Sequence, residues 1–175
     1  WIKVYADAAM GGQTIRPTFS LDELKLIVEP ARSAGIPVVA HAMSKEGMRR
    51  AALAGVETIE HGDHGDIEVF RLMARQGVAL CPTLAAAEAM SRYRGWQPGT
   101  PAPPSLVTVR DAFRQAREAG VTIVNGSDMG VFPHGDGARE LELLVEHGLT
   151  PAEALRAAPS VAAGSRKPVT DVRST

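Results

Sequence analysis

The chain has one cysteine, Cys81, in 175 residues, which excludes an internal disulfide framework. Cys81 sits in the apolar run Val78-Ala-Leu-Cys-Pro82, where a small buried hydrophobe is expected. One thiol is compatible with an oxidising or a reducing compartment; localisation stays open, with the cytoplasm slightly favoured. Neither sign of charge dominates, with 19 basic and 20 acidic residues. No basic stripe argues for nucleic acid and no charge run argues for a tail. The apolar runs are far shorter than the ~20 residues a membrane span needs. No signal peptide is present, but the chain opens on Trp1 rather than Met, so the natural N-terminus is expected upstream.

What is present is a chain 45% hydrophobic, enough for one core, in which strand and helix patterns alternate. Residues 1–7 read as a first strand. Ser20-Leu-Asp-Glu23 is a capping box that opens a helix to about Ala34. Ile36–Ala40, Val56–Glu60, Val78–Cys81 and Val121–Asn125 read as four more strands. Helices are expected over Lys45–Ala54, Asp66–Gln76, Leu106–Ala119 and Ala138–His147. Residues 84–105 read as an irregular loop rich in Gly and Pro, of a length that is usually functional or mobile. Thr150-Pro-Ala-Glu153 is a second capping box, with Pro at the first helical position, and starts a last helix. Residues 164–175 read as an aperiodic tail, frayed or truncated.

The order helix, glycine, apolar strand recurs at Gly35, Gly55, Gly77 and Gly120. It points to a parallel sheet with crossover helices. A closed (β/α)8 barrel takes at least ~200 residues, so five strands fall short of one. A doubly wound sheet fits the length, but Gly11-Gly12 lacks the rest of a phosphate-binding fingerprint.

Four residues stand at or near strand ends: Lys3, His41, His61 and Asp128. Parallel barrels gather functional residues on that rim, one strand at a time. Imidazole is a common zinc ligand, and His41 and His61 share a register on successive strands. Either one alone is equally a hydrogen-bonded structural residue. Lys3 is flanked by apolar positions, where a lysine is either exposed at an edge or modified. A neutral lysine amine can add carbon dioxide, and the carbamate can bridge two metal ions. Asp128 follows Gly126-Ser127, and Gly allows close packing that aims the carboxylate. Asp128 is either a metal ligand and general base or a helix cap.

The set resembles the metal-dependent amidohydrolase superfamily. Ile2-Lys-Val, Val39-Ala-His-Ala, Ile59-Glu-His-Gly, Gly126-Ser-Asp, Phe132-Pro-His-Gly and Ala138-Arg-Glu-Leu-Glu are similar to the imidazolonepropionase-like, Xaa-Pro dipeptidase-like branch. The resemblance covers about residues 1–163 and implies a partial TIM-like (β/α)8 barrel, with about five βα units. It implies two zinc ions per complete site, bridged by carbamylated Lys3. His41, His61 and Asp128 would be further ligands, Asp128 also the general base and acid, and His134 a substrate contact. The substrate implied is a small molecule or dipeptide, and a homo-oligomer is compatible with it. Alternatives are a one-metal cyclic-amide hydrolase or deaminase with unmodified Lys3, or an inactive remnant. The family's His-x-His strand is not in the chain, so residues 1–163 are expected to be the C-terminal part of a catalytic barrel with little independent activity. His64 is expected in solvent, His147 at a helix C-terminus, and Tyr93 and Trp96 either in a lid or packing their loop.

Overall fold

The structure, a computed structural model, describes residues 1–10 and 14–163. The expected tail at 164–175 and the Gly11-Gly12 pair lie outside the described residues. The described chain runs β1 (Ile2–Tyr5), β2 (Asp7–Met10), β3 (Thr14–Pro17), α1 (Leu21–Ser33), β4 (Val38–Ala42), α2 (Lys45–Ala54), β5 (Thr58–His61), α3 (Ile67–Gln76), β6 (Ala79–Cys81), α4 (Leu84–Tyr93), α5 (Pro104–Glu118), α6 (Arg139–Glu146) and α7 (Pro151–Ala163). A single 3-10 turn, His134–Asp136, precedes α6. No described helix is long and apolar enough to cross a membrane.

Strands β1, β4, β5 and β6 form a parallel sheet in that order. Alternation along each strand sends Val4, Val38, Ala40, Ala42, Ile59 and Leu80 to one face. There they meet Leu24, Val28, Met48, Phe70 and Met73 of the crossover helices in the main core. The opposite face carries Lys3, Tyr5, Val39, His41, Thr58, Glu60, Ala79 and Cys81. This is the α/β arrangement expected, and the recurrent glycines do what their positions imply. Gly55 and Gly77 end α2 and α3 in the left-handed conformation. Both capping boxes form, with Ser20 and Glu23 exchanging bonds at α1 and Thr150 and Glu153 at α7.

Three expectations need correction. The first strand does not run through residue 7: β1 ends at Tyr5, and Asp7–Met10 pairs antiparallel with Thr14–Pro17 in a separate hairpin. The fifth strand, Val121–Asn125, is reduced to one parallel bridge between Leu80 and Ile123. Two backbone bonds hold it, from Leu80 to Thr122 and from Val124 back to Leu80, both 2.9 Å. Its partner β6 spans only Ala79–Cys81, and Pro82 has no N–H to carry the ladder on.

The third correction is larger. Residues 84–93 are not loop but the helix α4, built on the strong helix formers Leu84-Ala-Ala-Ala-Glu-Ala-Met90. Its start carries no local signal, because Thr83 makes no side-chain cap. The cap comes from α6: the Glu140 carboxylate accepts from the Leu84 N–H at 3.0 Å and the Ala85 N–H at 2.6 Å. Glu140 has no exposed surface, and burial raises its carboxyl to about 7 against the opposing pull of those two donors. The contact locks α4 to a second core of Leu84, Val109, Phe113, Leu143 and Leu144. Beside it, Arg139 pairs with the buried Glu88 at 3.1 Å and with Glu146 at 2.7 Å.

A raised carboxyl pKa stabilises the folded state fully only below the unfolded value. The Glu140 contribution is therefore lost as pH rises from about 4.5 to about 7. Glu140→Gln cannot ionise and removes that slope. Urea unfolding at pH 5 and pH 8 is expected to show the wild type losing more stability than Glu140→Gln; parallel losses would contradict the assignment.

Candidate functional site

The parallel register lays Tyr5, His41, Glu60 and Cys81 side by side across the sheet. His61 falls one step out of this row, paired with Ala42, and regular alternation would send it toward the helices. It does not go there. His61 adopts a positive φ of 76°, which ends the strand and swings the ring back over the sheet rim. The His41 and His61 rings then meet edge to face with centroids 4.5 Å apart. Tyr5 stacks on the other side of His41 at 4.6 Å.

Left-handed backbone outside glycine is confined to His61, Thr83 and Asp128 among the described residues. Each lies just past the C-terminal end of a strand or extended segment, and each conformation costs about 1–3 kcal/mol. All three line one cavity of about 380 Å3, with Met43, Asp63, His64, Met90 and Arg94. Gly126 lets the Asp128 turn close on the sheet, since a Cβ there would strike the Cys81 sulfur. The Cys81 thiol reaches the Gly126 carbonyl at 3.6 Å, and burial pushes its pKa well up. Cys81 thus packs, as its sequence context implies, rather than reacting.

Each imidazole has one ring nitrogen turned to a partner. His61 Nδ1 shares a hydrogen bond of 2.8 Å with Thr83 Oγ1. His41 Nε2 lies 4.0 Å from Asp7 Oδ1. Burial lowers the pKa of both rings, that of His61 to about 4, with the neighbouring His41 as the next cause. Both are therefore neutral at neutral pH, the form that donates a lone pair. Asp63, on the cavity wall, is raised to about 6 by burial.

Of the residues singled out from sequence, His41 and His61 are brought into contact, and Asp128 shares the cavity with His61. The Asp128 carboxylate acts on both rings electrostatically. Among the described residues no three His, Cys, Asp or Glu side chains cluster closely enough to hold a metal ion. Lys3 lies on the same sheet face, its side chain 45% exposed, with Nζ 3.9 Å from Glu60. His134 is exposed on the 3-10 turn and is not among the cavity-lining residues. His64 is exposed, as expected, though at the cavity rim. His147 ends α6, but burial lowers its pKa, and the cation that meets this helix end is Arg117, bonded to the His147 carbonyl at 2.9 Å. Trp96 packs its loop, donating to the Thr100 carbonyl at 3.3 Å with Arg110 over its ring, while Tyr93 is exposed.

Sequence reading passed over Asp7, Glu60 and Thr83. Thr83 had a usable signal, since it follows an apolar strand as the two histidines do. Asp7 and Glu60 had none beyond their neighbours.

The model of the Amidohydrolase family matches residues 1–165, and the chain belongs to that family. Ochratoxinase of Aspergillus niger is 34% identical over 180 residues, covering 97% of this chain and 37% of that protein. An uncharacterized protein of Mycobacterium tuberculosis is 32% identical over 90% of this chain and 45% of its own length. Among solved structures, a Xaa-Pro dipeptidase with bound methionine superposes with a TM-score of 0.80 at 34% identity, covering 93% of this chain and 42% of that one. The crystal structure of the A. niger ochratoxinase gives a TM-score of 0.73 at 33% identity, over 90% of this chain and 37% of that one. The fold is thus the β/α architecture of an amidohydrolase barrel, of which this chain spans less than half the length of the relatives named.

A left-handed, β-branched Thr83 is costly, by about 1–2 kcal/mol. Thr83→Ala and Thr83→Gly both lose the bond to His61, but only glycine relieves the backbone. Chemical denaturation is expected to find the glycine variant more stable than the alanine variant by about 1 kcal/mol. Equal stabilities would show that the backbone is unstrained.

Proposed function

We propose that this chain supplies part of the active site of a zinc-dependent hydrolase that cleaves amide or peptide bonds, with Xaa-Pro dipeptides as the first substrates to try. Residues 1–163 are the catalytic-barrel part in this reading. The observation that carries it is the His41–His61 pair: two neutral imidazoles in contact, each with one ring nitrogen turned to a partner. The nitrogens that remain, His41 Nδ1 and His61 Nε2, would be the donors for zinc. Two neutral imidazoles with oriented outer partners suit zinc, and they would form part of a donor set, since no third His, Cys, Asp or Glu among the described residues stands close enough to complete it. A bound metal ion supplies an activated water and polarises the amide carbonyl.

The other roles belong to the chain. Asp128, held by the Gly126–Cys81 contact beside the cavity that His61 also lines, would take the proton from the attacking water and, drawn in toward the two imidazoles, would add a carboxylate ligand. It then returns that proton to the leaving amine. His134 would contact substrate in this reading from outside the cavity, on the same loop as the cavity-lining Val131. The cavity itself, with Met43, Ala86, Met90, Leu106 and Val109 on its wall, suits an apolar substrate side chain. Support also comes from the names of the relatives, a Xaa-Pro dipeptidase and an ochratoxinase.

Lys3 as a carbamate bridge between two zinc ions completes the first form of this reading. Carbamylation needs a neutral amine; the Lys3 side chain stands half-exposed, with Nζ 3.9 Å from Glu60. A second form has one metal and an unmodified Lys3.

Zinc bound per chain, counted by elemental analysis after dialysis, tests the reading. Zinc retention abolished by His61→Ala is the expected result, and absence of zinc in the wild type would sink it. Two zincs with Lys3 carbamylated support the bridged form, and one zinc unaffected by Lys3→Ala the single-metal form. Where hydrolysis of Xaa-Pro dipeptides is measurable, Asp128→Asn is expected to lower its rate by about 100-fold or more.

A further inference from the structure

We infer that Asp7 is a positioning residue for His41, fixing which of its two ring nitrogens carries the proton. Asp7 has no exposed surface, and its carboxylate lies between the end of β1 and the turn from β4 into α2. The two oxygens do different things. Oδ2 accepts from the Ser44 N–H at 2.7 Å, the Ser44 hydroxyl at 2.6 Å and the Met43 N–H at 3.1 Å. Its acceptor capacity is spent on that turn. Oδ1 accepts from the Met43 N–H at 2.9 Å and lies 4.0 Å from His41 Nε2, a through-space separation longer than a hydrogen bond.

A buried carboxylate exerts a strong field on its surroundings, because little water screens it. At 4.0 Å that field favours an N–H over a bare nitrogen at Nε2. The His41 ring has little freedom to escape, with Tyr5 stacked on it and His61 against its edge. The proton on Nε2 leaves Nδ1 bare. Room for the carboxylate is built in at Gly47, where a Cβ would overlap Asp7 Oδ2. The inference rests on the reading of His41 as a metal donor, but the tautomer is a property of the metal-free chain.

Long-range 1H–15N NMR of the metal-free chain at about pH 8, where the imidazoles are neutral, reads the tautomer directly. The expected wild-type signal is a protonated Nε2 and a bare Nδ1 on His41. In Asp7→Asn the amide oxygen takes the place of Oδ2, because the two Ser44 donors require an acceptor. The amide NH2 then faces Nε2, and the proton is expected to move to Nδ1. Ser44→Ala weakens the same turn but keeps the carboxylate opposite His41, and its tautomer is expected to match the wild type. A wild-type His41 protonated at Nδ1, or the same tautomer in wild type and Asp7→Asn, would overturn the inference. If Asp7→Asn does not fold, Asp7→Ser, which removes the carboxylate opposite His41, takes its place in the comparison and is expected to raise the share of Nδ1–H. The comparison is needed because a neutral imidazole free in water already favours Nε2–H.

Titration with Co2+ in place of zinc is the second arm. Asp7→Asn is expected to bind it about 10- to 100-fold more weakly than wild type, and Ser44→Ala equally well. A wild type that takes no Co2+ would tell against the proposed hydrolase site, while the tautomer still judges Asp7.

Discussion

The parallel register of β1, β4, β5 and β6 is the constraint on which the rest depends. It places every strand's C-terminal end on one rim, and it sets Tyr5, His41, Glu60 and Cys81 in a single row. The helices hold that register from outside, through the alternate residues that point to them. A slip of one residue would exchange the two faces and put His41 into the apolar core. The polar inner row and the apolar outer row are thus two results of one pairing pattern.

The rim adds what register cannot. His61 lies out of phase with the row and joins His41 only through a left-handed backbone. Thr83, which receives His61 Nδ1, is left-handed too, and so is Asp128 across the cavity. Strain concentrated at strand ends is tolerated where surrounding packing holds it. Here the holding contacts are visible: Cys81 against Gly126, Glu140 on the start of α4, and Asp7 on the turn after β4. Each joins segments distant in sequence. The site is set by a shell of polar contacts that do no chemistry themselves.

Electrostatics follow from the same burial. The two imidazoles stay neutral because water is excluded from them, and the carboxyl groups of Asp63 and Glu140 rise for that reason. Lys3 keeps an exposed flank and a carboxylate partner. The Lys3 side chain reaches from the edge strand β1 across β4 to Glu60 on β5, so charged groups and desolvated neutral imidazoles share this sheet face.

Much of this was legible in the residues alone. Capping boxes at Ser20 and Thr150, glycines after α2 and α3, and apolar runs from Ile36 and from Val56 are local signals, and local signals survive folding. They determined the alternation of strand and helix, the parallel sheet, and the strand-end placement of His41 and His61. Tertiary structure decided what depends on distant partners. Helix α4 was hidden because its cap, Glu140, lies 55 residues away from Ala85. The hairpin of β2 and β3 displaced the end of the first strand and left Asp7 buried, which nothing near Asp7 in the sequence announces. Which ring nitrogen faces which partner was likewise invisible. That depends on Thr83 and Asp7, which only the folded sheet brings to the two histidines.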